Sequence, residues 1–528
     1  MTKHIFVIGG VLSSLGKGIA SASIGFLLNK MGYSVAMQKL DPYLNLNSGF
    51  LSPLQHGEVY VTEDGGETDL DLGHYERFLG KPTSKLSGAT SGKIYERVFQ
   101  RERNREYNGQ TVQVIPHVTN EIIETIHKNS HGSDVAIVEI GGTVGDIEIL
   151  PFLEAVRQYR LEVGIKNSMF IFLTYIPFMR VAGELKTKPT QHAVNKLREI
   201  GIIPDIILCR AEVSLEEDML KKIALFTNVP KTHVKTAVDA RSIYEIPKNL
   251  FNEGVHKLIC KQFGLKEKTV NFACWDEFLH RMQNPEAEIN IVLCGKYIEQ
   301  KDAYKSLEEA LIHSGAWNKV RVKLHSIDSE IELSDEEYKV LLKDINGIIV
   351  PSGFGNRGIN GKINIVKYAR ENDIPFLGIC FGMQLAIIEF ANNVCRLKNS
   401  NSTEIKPNPK NPVVHRIVKD NPMRLGAFPC RIKPGTYASS IYNKEVVFER
   451  HRNRYEFNEK YREIIEKNGM IISGTSQDGS LAEIIEIPTL KYFIGVQFHP
   501  EFLSSPDKPH PLINEFVRVA KGECGVRG

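Results

Sequence analysis

The chain has 528 residues, 42% of them hydrophobic and 24% charged, with a formal net charge of +3; that length predicts more than one domain, since single cores rarely grow past about 250–300 residues. The near-neutral balance excludes the strongly basic footprint of a nucleic-acid binder, and no apolar run approaches the roughly 20 residues of a membrane span. Eight scattered cysteines (Cys209, Cys260, Cys274, Cys294, Cys380, Cys395, Cys430 and Cys524) have neither C-x-x-C nor zinc spacing, which points to a reduced, cytoplasmic protein.

Met1-Thr2-Lys3-His4 leads into an apolar run at 5–8 that glycines interrupt too soon for a signal peptide. This run and those at 34–37, 135–140, 170–173 and 205–209 predict buried parallel strands, and 20–30 and 121–127 predict covering helices. The alternation is that of a doubly wound α/β sheet. Trp275, Phe278, Leu279 and Met282 share one helical face that Asn284-Pro285 ends, which predicts a helical linker over 266–289. A second α/β series follows, with strands at 289–294, 320–324, 347–350, 375–379 and 492–498 and helices at 303–314 and 383–391. The expected division is therefore 1–265, 266–289 and 290–528.

Between the first strand and its helix lies Gly9-Gly10-Val11-Leu12-Ser13-Ser14-Leu15-Gly16-Lys17-Gly18. Glycines let backbone N–H groups approach phosphate, the helix N-terminus attracts anions, and Lys17 adds charge. The loop departs from the standard phosphate-loop spacing, and Gly18 stands where Ser or Thr would bind Mg²⁺. Carboxylates must then hold the metal. Glu139, near the end of the 135–140 strand, and Asp71, in an acidic stretch after Glu63, are the candidates. Read without the loop, that stretch is equally well a solvated acidic turn. The run Lys186-Thr187-Lys188-Pro189-Thr190-Gln191 clusters cations and hydroxyls before a helix, a composition more common in surface loops than in triphosphate sites.

In the second half, Gly378-Ile379-Cys380-Phe381-Gly382 joins an apolar run to a helix with the spacing of a nucleophile elbow. The turn lifts the thiol above the sheet, and the helix N-terminus favours the thiolate. A buried cysteine in a glycine-rich turn is the competing reading. Downstream, Phe498-His499-Pro500-Glu501 places a base and a carboxylate two residues apart, so Glu501 can orient His499 and His499 can activate Cys380. The Phe381 N–H and the turn Pro351-Ser352-Gly353-Phe354-Gly355 are the candidate oxyanion donors.

These elements, over about residues 290–524, resemble the class I (triad) glutamine amidotransferases. The resemblance implies a γ-glutamyl thioester on Cys380. It also implies glutamine binding by Gly353, Phe381, Gly382, Met383, Gln384, Glu404 and Arg454. In the first half, residues 13–18, Lys39-Leu40-Asp41-Pro42-Tyr43, Gln55-His56-Gly57-Glu58-Val59, 67–74, 139–148 and 186–191 resemble the CTP synthase family, and with the glutaminase half the similarity covers nearly the whole chain.

That family implies two doubly wound α/β domains, a P-loop-type (dethiobiotin-synthetase-like) synthase domain and a flavodoxin-like glutaminase domain. It implies ATP at Ser14, Leu15, Gly16, Lys17, Gly18, Ile19, Asp71, Val238, Asp239 and Ala240, with Mg²⁺ at Asp71 and Glu139 and no organic cofactor. Ser13, Asp146, Ile147, Glu148, Lys186, Thr187, Lys188, Pro189, Thr190, Gln191 and Lys222 become the implied UTP site, shared with CTP as feedback inhibitor. Lys17 and Lys39 would support phosphoryl transfer. The resemblance further implies L-glutamine as nitrogen donor, GTP as activator, a 4-phosphoryl-UTP intermediate and a homotetramer, with no nucleic-acid or membrane partner. Three departures stand out: Ser352 replaces a usual glycine, Phe381 a frequent leucine, and the segment after Val413-Val414 is short. Another glutamine-dependent amidoligase and a scaffold that has lost catalysis are the alternative readings.

Overall fold

The computed structural model describes residues 1–523 except 182, 297, 332, 354 and 417–422. Phe354 and Cys524 therefore lie outside the described residues, as does most of the short segment after Val413-Val414. The described chain divides into two compact units. The first comprises Met1–Leu51 and Asp71–Phe272, the second Ser52–Leu70 and Ala273–Gly528.

In the first unit, seven strands form one parallel sheet: β1 (Lys3–Gly9), β2 (Val35–Asp41), β3 (Gly88–Thr90), β4 (Val135–Ile140), β5 (Ser168–Tyr175), β6 (Ile206–Ala211) and β7 (Val234–Val238), in spatial order β7-β6-β5-β1-β4-β2-β3. Both faces are covered, which is why these strands read as continuous apolar runs. Alternate side chains separate the two faces. Phe6, Ile8, Val138 and Ile140 join a core with Ile122, Ile126, Phe152 and Val156 from two helices over one face. On the other, Gly25 of α1 (Lys17–Lys30) lies against Met37, Ile137 and Leu79, the last from α2 (Asp71–Leu79). The chain order reverses beside β1, so the loops after β1 and β4 emerge together at the carboxyl edge, the usual ligand position in such sheets.

The second unit holds a nine-stranded sheet: β8 (Ala287–Gly295), β9 (Val320–Asp328), β10 (Gly347–Val350), β11 (Phe376–Ile379), β12 (Arg424–Ile432), β13 (Val446–Asn453), β14 (Ile471–Ser476), β15 (Ala482–Glu486) and β16 (Phe493–Val496). Its order is β9-β8-β10-β11-β16-β15-β14-β12-β13; the first five are parallel and the rest an antiparallel extension. One face packs Val292, Ile348, Val350 and Phe376 against α4 (Ile359–Glu371) and α5 (Phe381–Asn393), and the other packs Ile291, Leu293, Ile349 and Leu377 against Leu512 and Phe516. Each such buried side chain contributes about 1.5–3 kcal/mol. The helix α3 (Ala273–Gln283) belongs to this unit, with Trp275, Phe278 and Leu279 buried.

Ser52–Leu70, early in the chain, is also part of the second unit. Tyr60 is fully buried there, donates to Phe502 O at 3.2 Å, and accepts from Arg450 Nη1 at 2.9 Å. The Ala427 N–H donates to Glu63 O at 2.8 Å, and Arg452 Nε to Glu67 Oε1 at 2.9 Å.

Candidate functional site

The phosphate-loop candidate lies where the sequence places it, between β1 and α1. Its backbone takes left-handed φ at Val11 (82°), Ser14 (55°) and Gly16 (90°). Gly16 is the N-cap of α1 and supplies no side chain, so an anion can take the first-turn N–H groups. A cavity of about 350 Å³ opens beside it, lined by Leu15, Gly16, Ile19, Val238, Asp239 and Ala240, six of the residues expected at ATP. Arg210, also in its wall, was not anticipated: its Nη1 donates to Leu15 O at 3.1 Å and its Nε to Asp239 Oδ1 at 2.7 Å. A charged residue near the C-terminal end of a parallel strand was the available signal.

Behind the loop, Lys17, Lys39, Asp71 and Glu139 converge. Lys17 Nζ donates to Gly142 O at 2.8 Å. Lys39 Nζ bonds Asp71 Oδ2 and lies 3.8 Å from Asp41 Oδ1 and 4.0 Å from Glu139 Oε1. Tyr75, one helical turn after Asp71, donates to Glu139 Oε2. Burial, then the nearby Asp71 carboxylate, pushes Glu139 up to about 7. Burial also lowers the pKa of Lys17, against the pull of Glu139. The conflict has the form of a cation site: two carboxylates kept close at electrostatic cost.

A Cβ on Gly18 would lie 2.1 Å from Asp71 Oδ1. The carboxylate occupies the space a Ser or Thr side chain would take, so the departure at Gly18 and the choice of Asp71 have one cause. No group of three or more His, Cys, Asp or Glu among the described residues could hold a metal. Mg²⁺ commonly takes only one or two carboxylates beside phosphate and water oxygens, so Asp71 and Glu139 fit it.

The other residues expected at the nucleotides are more open. Ser13, Ser14, Asp146, Ile147, Glu148 and Lys222 are exposed. Thr143 N donates to Asp146 Oδ2 at 3.2 Å, and Val144 N to Gly9 O at 2.9 Å, which ties this loop to the phosphate loop. Lys186 pairs with Glu184, on which Lys222 also acts. Lys188, Pro189, Thr190 and Gln191 open the helix Lys188–Glu199; Thr190 Oγ1 lies 2.8 Å from Thr174 Oγ1, and Gln191 Nε2 donates to Thr187 Oγ1 at 3.0 Å.

In the second unit, Cys380 joins β11 to α5 with φ 52° and ψ −101°, the sharp backbone of a nucleophile elbow. Close approach explains the flanking glycine: a Cβ on Gly382 would sit 2.0 Å from Val350 O. Cys380, His499 and Glu501 are all buried. His499 Nδ1 lies 2.8 Å from Glu501 Oε1, and its ring stacks on Phe502 at 5.1 Å. Its Nε2 makes no ordinary hydrogen bond among the described residues; the Cys380 sulfur acts on the ring electrostatically. Burial pulls the imidazole down, but Glu501 and Cys380 more than offset this and hold it up at about 10. The imidazole therefore carries its proton at neutral pH.

Gln497, two residues before His499, was missed by sequence reasoning; its Nε2 lies 3.5 Å from Cys380 Sγ. Gln384 Nε2 donates to Tyr455 O at 2.9 Å, whereas the Met383 side chain belongs to the apolar core, leaving only its backbone for a ligand. Glu404 accepts from Gly355 N at 3.3 Å; burial raises its pKa, against that N–H, Lys296 and Arg454. Arg454 is exposed. Ser352 is not among the non-glycine residues with positive φ, so it carries no left-handed strain.

Comparison with known proteins agrees with both halves. Residues 3–265 match the family described as CTP synthase N-terminus, and residues 299–519 match glutamine amidotransferase class-I. The chain is 53% identical over 534 residues to the CTP synthase of Methanocaldococcus jannaschii, covering 99% of each. It is 53% identical over 527 residues to that of Aquifex aeolicus, covering 98% of each. Among solved structures, the glutaminase domain of Trypanosoma brucei CTPS with bound acivicin matches at 35% identity and a TM-score of 0.43, over 46% of this chain and 96% of that one. No helix among the described residues is long and apolar enough to cross a membrane. The chain belongs to the CTP synthase family, glutamine-hydrolysing carbon–nitrogen ligases that make CTP from UTP in pyrimidine nucleotide synthesis.

Proposed function

We propose that the second unit releases ammonia from glutamine and the first consumes it at C4 of UTP. The Cys380 sulfur adds to the glutamine δ-carbonyl while the Phe381 N–H and the turn at Gly353 receive the oxyanion. Collapse expels ammonia, protonated by His499, and leaves a γ-glutamyl thioester. His499 then takes a proton from water, which hydrolyses the thioester to glutamate and frees the sulfur. Glu501 holds the imidazole throughout. Glu404 receives the α-ammonium group and Arg454 supports the site by charge, with Gly382, Met383 and Gln384 completing the pocket.

In the first unit, ATP occupies the cavity beside Leu15, Ile19 and Val238, with its phosphates over the loop. Asp71 and Glu139 would hold Mg²⁺, which would supply charge neutralisation to the triphosphate. Lys17 and Lys39 carry positive charge toward the transferring phosphoryl group. The uracil 4-oxygen takes that group as ADP leaves; ammonia adds at C4, and phosphate departs with the oxygen. UTP is held by Ser13, Asp146, Ile147, Glu148, Lys186, Thr187, Lys188, Pro189, Thr190, Gln191 and Lys222, and CTP competes there as a feedback inhibitor. GTP activates glutamine hydrolysis. The working form is a cytoplasmic homotetramer with no nucleic-acid or membrane partner, and the functional domains run 1–265 and 290–528 about a linker at 266–289.

The observation that carries this reading is the buried Cys380, His499 and Glu501 set, with the imidazole braced at 2.8 Å by the carboxylate and acted on by the sulfur. UTP labelled with ¹⁸O at the uracil 4-position tests the amination half. Label recovered in inorganic phosphate supports the phosphoryl intermediate, and label recovered in water contradicts it.

A further inference from the structure

Helix α4 carries Lys362 into the interior. It is 0% exposed, and its Nζ has no hydrogen-bond partner among the described residues. A buried ammonium is ordinarily paired or neutralised, because desolvation is costly. Burial lowers this one to about 8, with Cys294 opposing and Lys296 acting in the same direction as burial. Burial pushes the thiol of the neighbouring Cys294 up to about 12, against the pull of Lys362.

An aromatic face lies beside the ammonium. Lys362 Nζ lies 5.6 Å from the centre of the Phe381 ring and 3.6 Å from the point a Cβ on Gly353 would occupy. The ammonium thus stands beside both residues assigned to the oxyanion. Lys296 Nζ also approaches the Phe381 ring, at 5.9 Å, and donates to Gly355 O at 3.0 Å in the same turn. A leucine at position 381 would have no π face to offer a cation.

We infer that Phe381 and Lys362 form a coupled pair in which the ring lets an ammonium be buried beside Gly353, and that charge sets the oxyanion turn for glutamine hydrolysis. Lys362 is a positioning residue, acting through Gly353 and Phe381. The inference rests on the glutaminase reading of Cys380.

The test is a double-mutant cycle on the full chain with Phe381→Leu, Lys362→Met and the double variant. It reads kcat and KM for glutamine hydrolysis, ammonia-dependent CTP formation, the rate of Cys380 alkylation by iodoacetamide, and Tm. Each single variant lowers glutaminase kcat with KM held within about twofold, and the double variant is no slower than Lys362→Met. The resulting coupling is roughly 3–30-fold, the range of a desolvated cation–π contact. Lys362→Met raises Tm, because it removes a buried charge, while alkylation and ammonia-dependent synthesis stay at wild-type rates. Lys362→Leu repeats the measurement should methionine pack badly. Additive effects, or a Lys362→Met enzyme with unchanged kcat, overturn the pair while leaving the triad reading intact. A wild-type chain that hydrolyses no glutamine overturns that reading and the pair with it.

Discussion

The tightest constraint on the nucleotide site is the space above Gly18, and Gly18→Ala tests it. The added Cβ would stand 2.1 Å from Asp71 Oδ1 and 2.6 Å from Asp71 Cγ. Comfortable heavy-atom contact needs about 3.5 Å, so one group must retreat by more than about 1 Å. Gly18 lies in the first turn of α1, with β1 and the loop fixed before it, so the Asp71 carboxylate is what moves. It takes with it the bond to Lys39 and the separation from Glu139. A displacement of about 1 Å at a positioning group costs about 10²-fold in rate. The expected result is a loss of that order in CTP formation from ammonia, ATP and Mg²⁺, with glutamine hydrolysis on Cys380 retained when measured separately. A Gly18→Ala enzyme with ammonia-dependent turnover within threefold of wild type would refute the placement of Asp71 as metal ligand.

Gly382→Ala has the complementary effect: its Cβ would lie 2.0 Å from Val350 O on a central strand, so glutamine hydrolysis is lost and the second unit loses about 1–3 kcal/mol or more in denaturant melts, while ammonia-dependent synthesis survives. His4, buried against Tyr159 with the ring nitrogen 2.9 Å from the hydroxyl, has its pKa lowered from 6.5 to about 4 by burial and by His127. The unfolded chain therefore takes up a proton the folded one refuses, so this stability is present above about 6.5 and is lost as pH falls toward 4, by about 3 kcal/mol in total. His4→Phe should flatten the acid limb of urea stability measured between those values; an unchanged slope would contradict the assignment.

Much of the fold was legible because fully covered parallel strands read as apolar runs. The expected strands at 135–140 and 347–350 match β4 and β10 residue for residue. The antiparallel half was not legible, and β13 shows why. Its sequence VVFERHRN turns charged after three apolar residues, yet Glu449, Arg450 and His451 are buried, and Arg450 Nη1 donates to the Tyr60 hydroxyl and to Val61 O, almost 400 positions away. Membership of Ser52–Leu70 in the second unit has the same origin, since it depends on tertiary partners that no local pattern encodes. At the sites, the elbow and the phosphate loop were readable because glycine spacing reports backbone geometry directly. Asp71 was only one of several acids in its stretch; the space above Gly18 singles it out. Tyr75, Arg210, Gln497 and Lys362 escaped notice because each acts through a contact the sequence does not announce.

In the proposed function one chain joins a Cys380 glutaminase to a separate amination of UTP. The direct measurement is CTP formation from UTP, ATP and Mg²⁺ in wild type and Cys380→Ala, supplied either with glutamine plus GTP or with ammonia. Wild type is expected to use both nitrogen sources and the variant only ammonia. A variant that still used glutamine, or a wild type that made no CTP from ammonia, would contradict it.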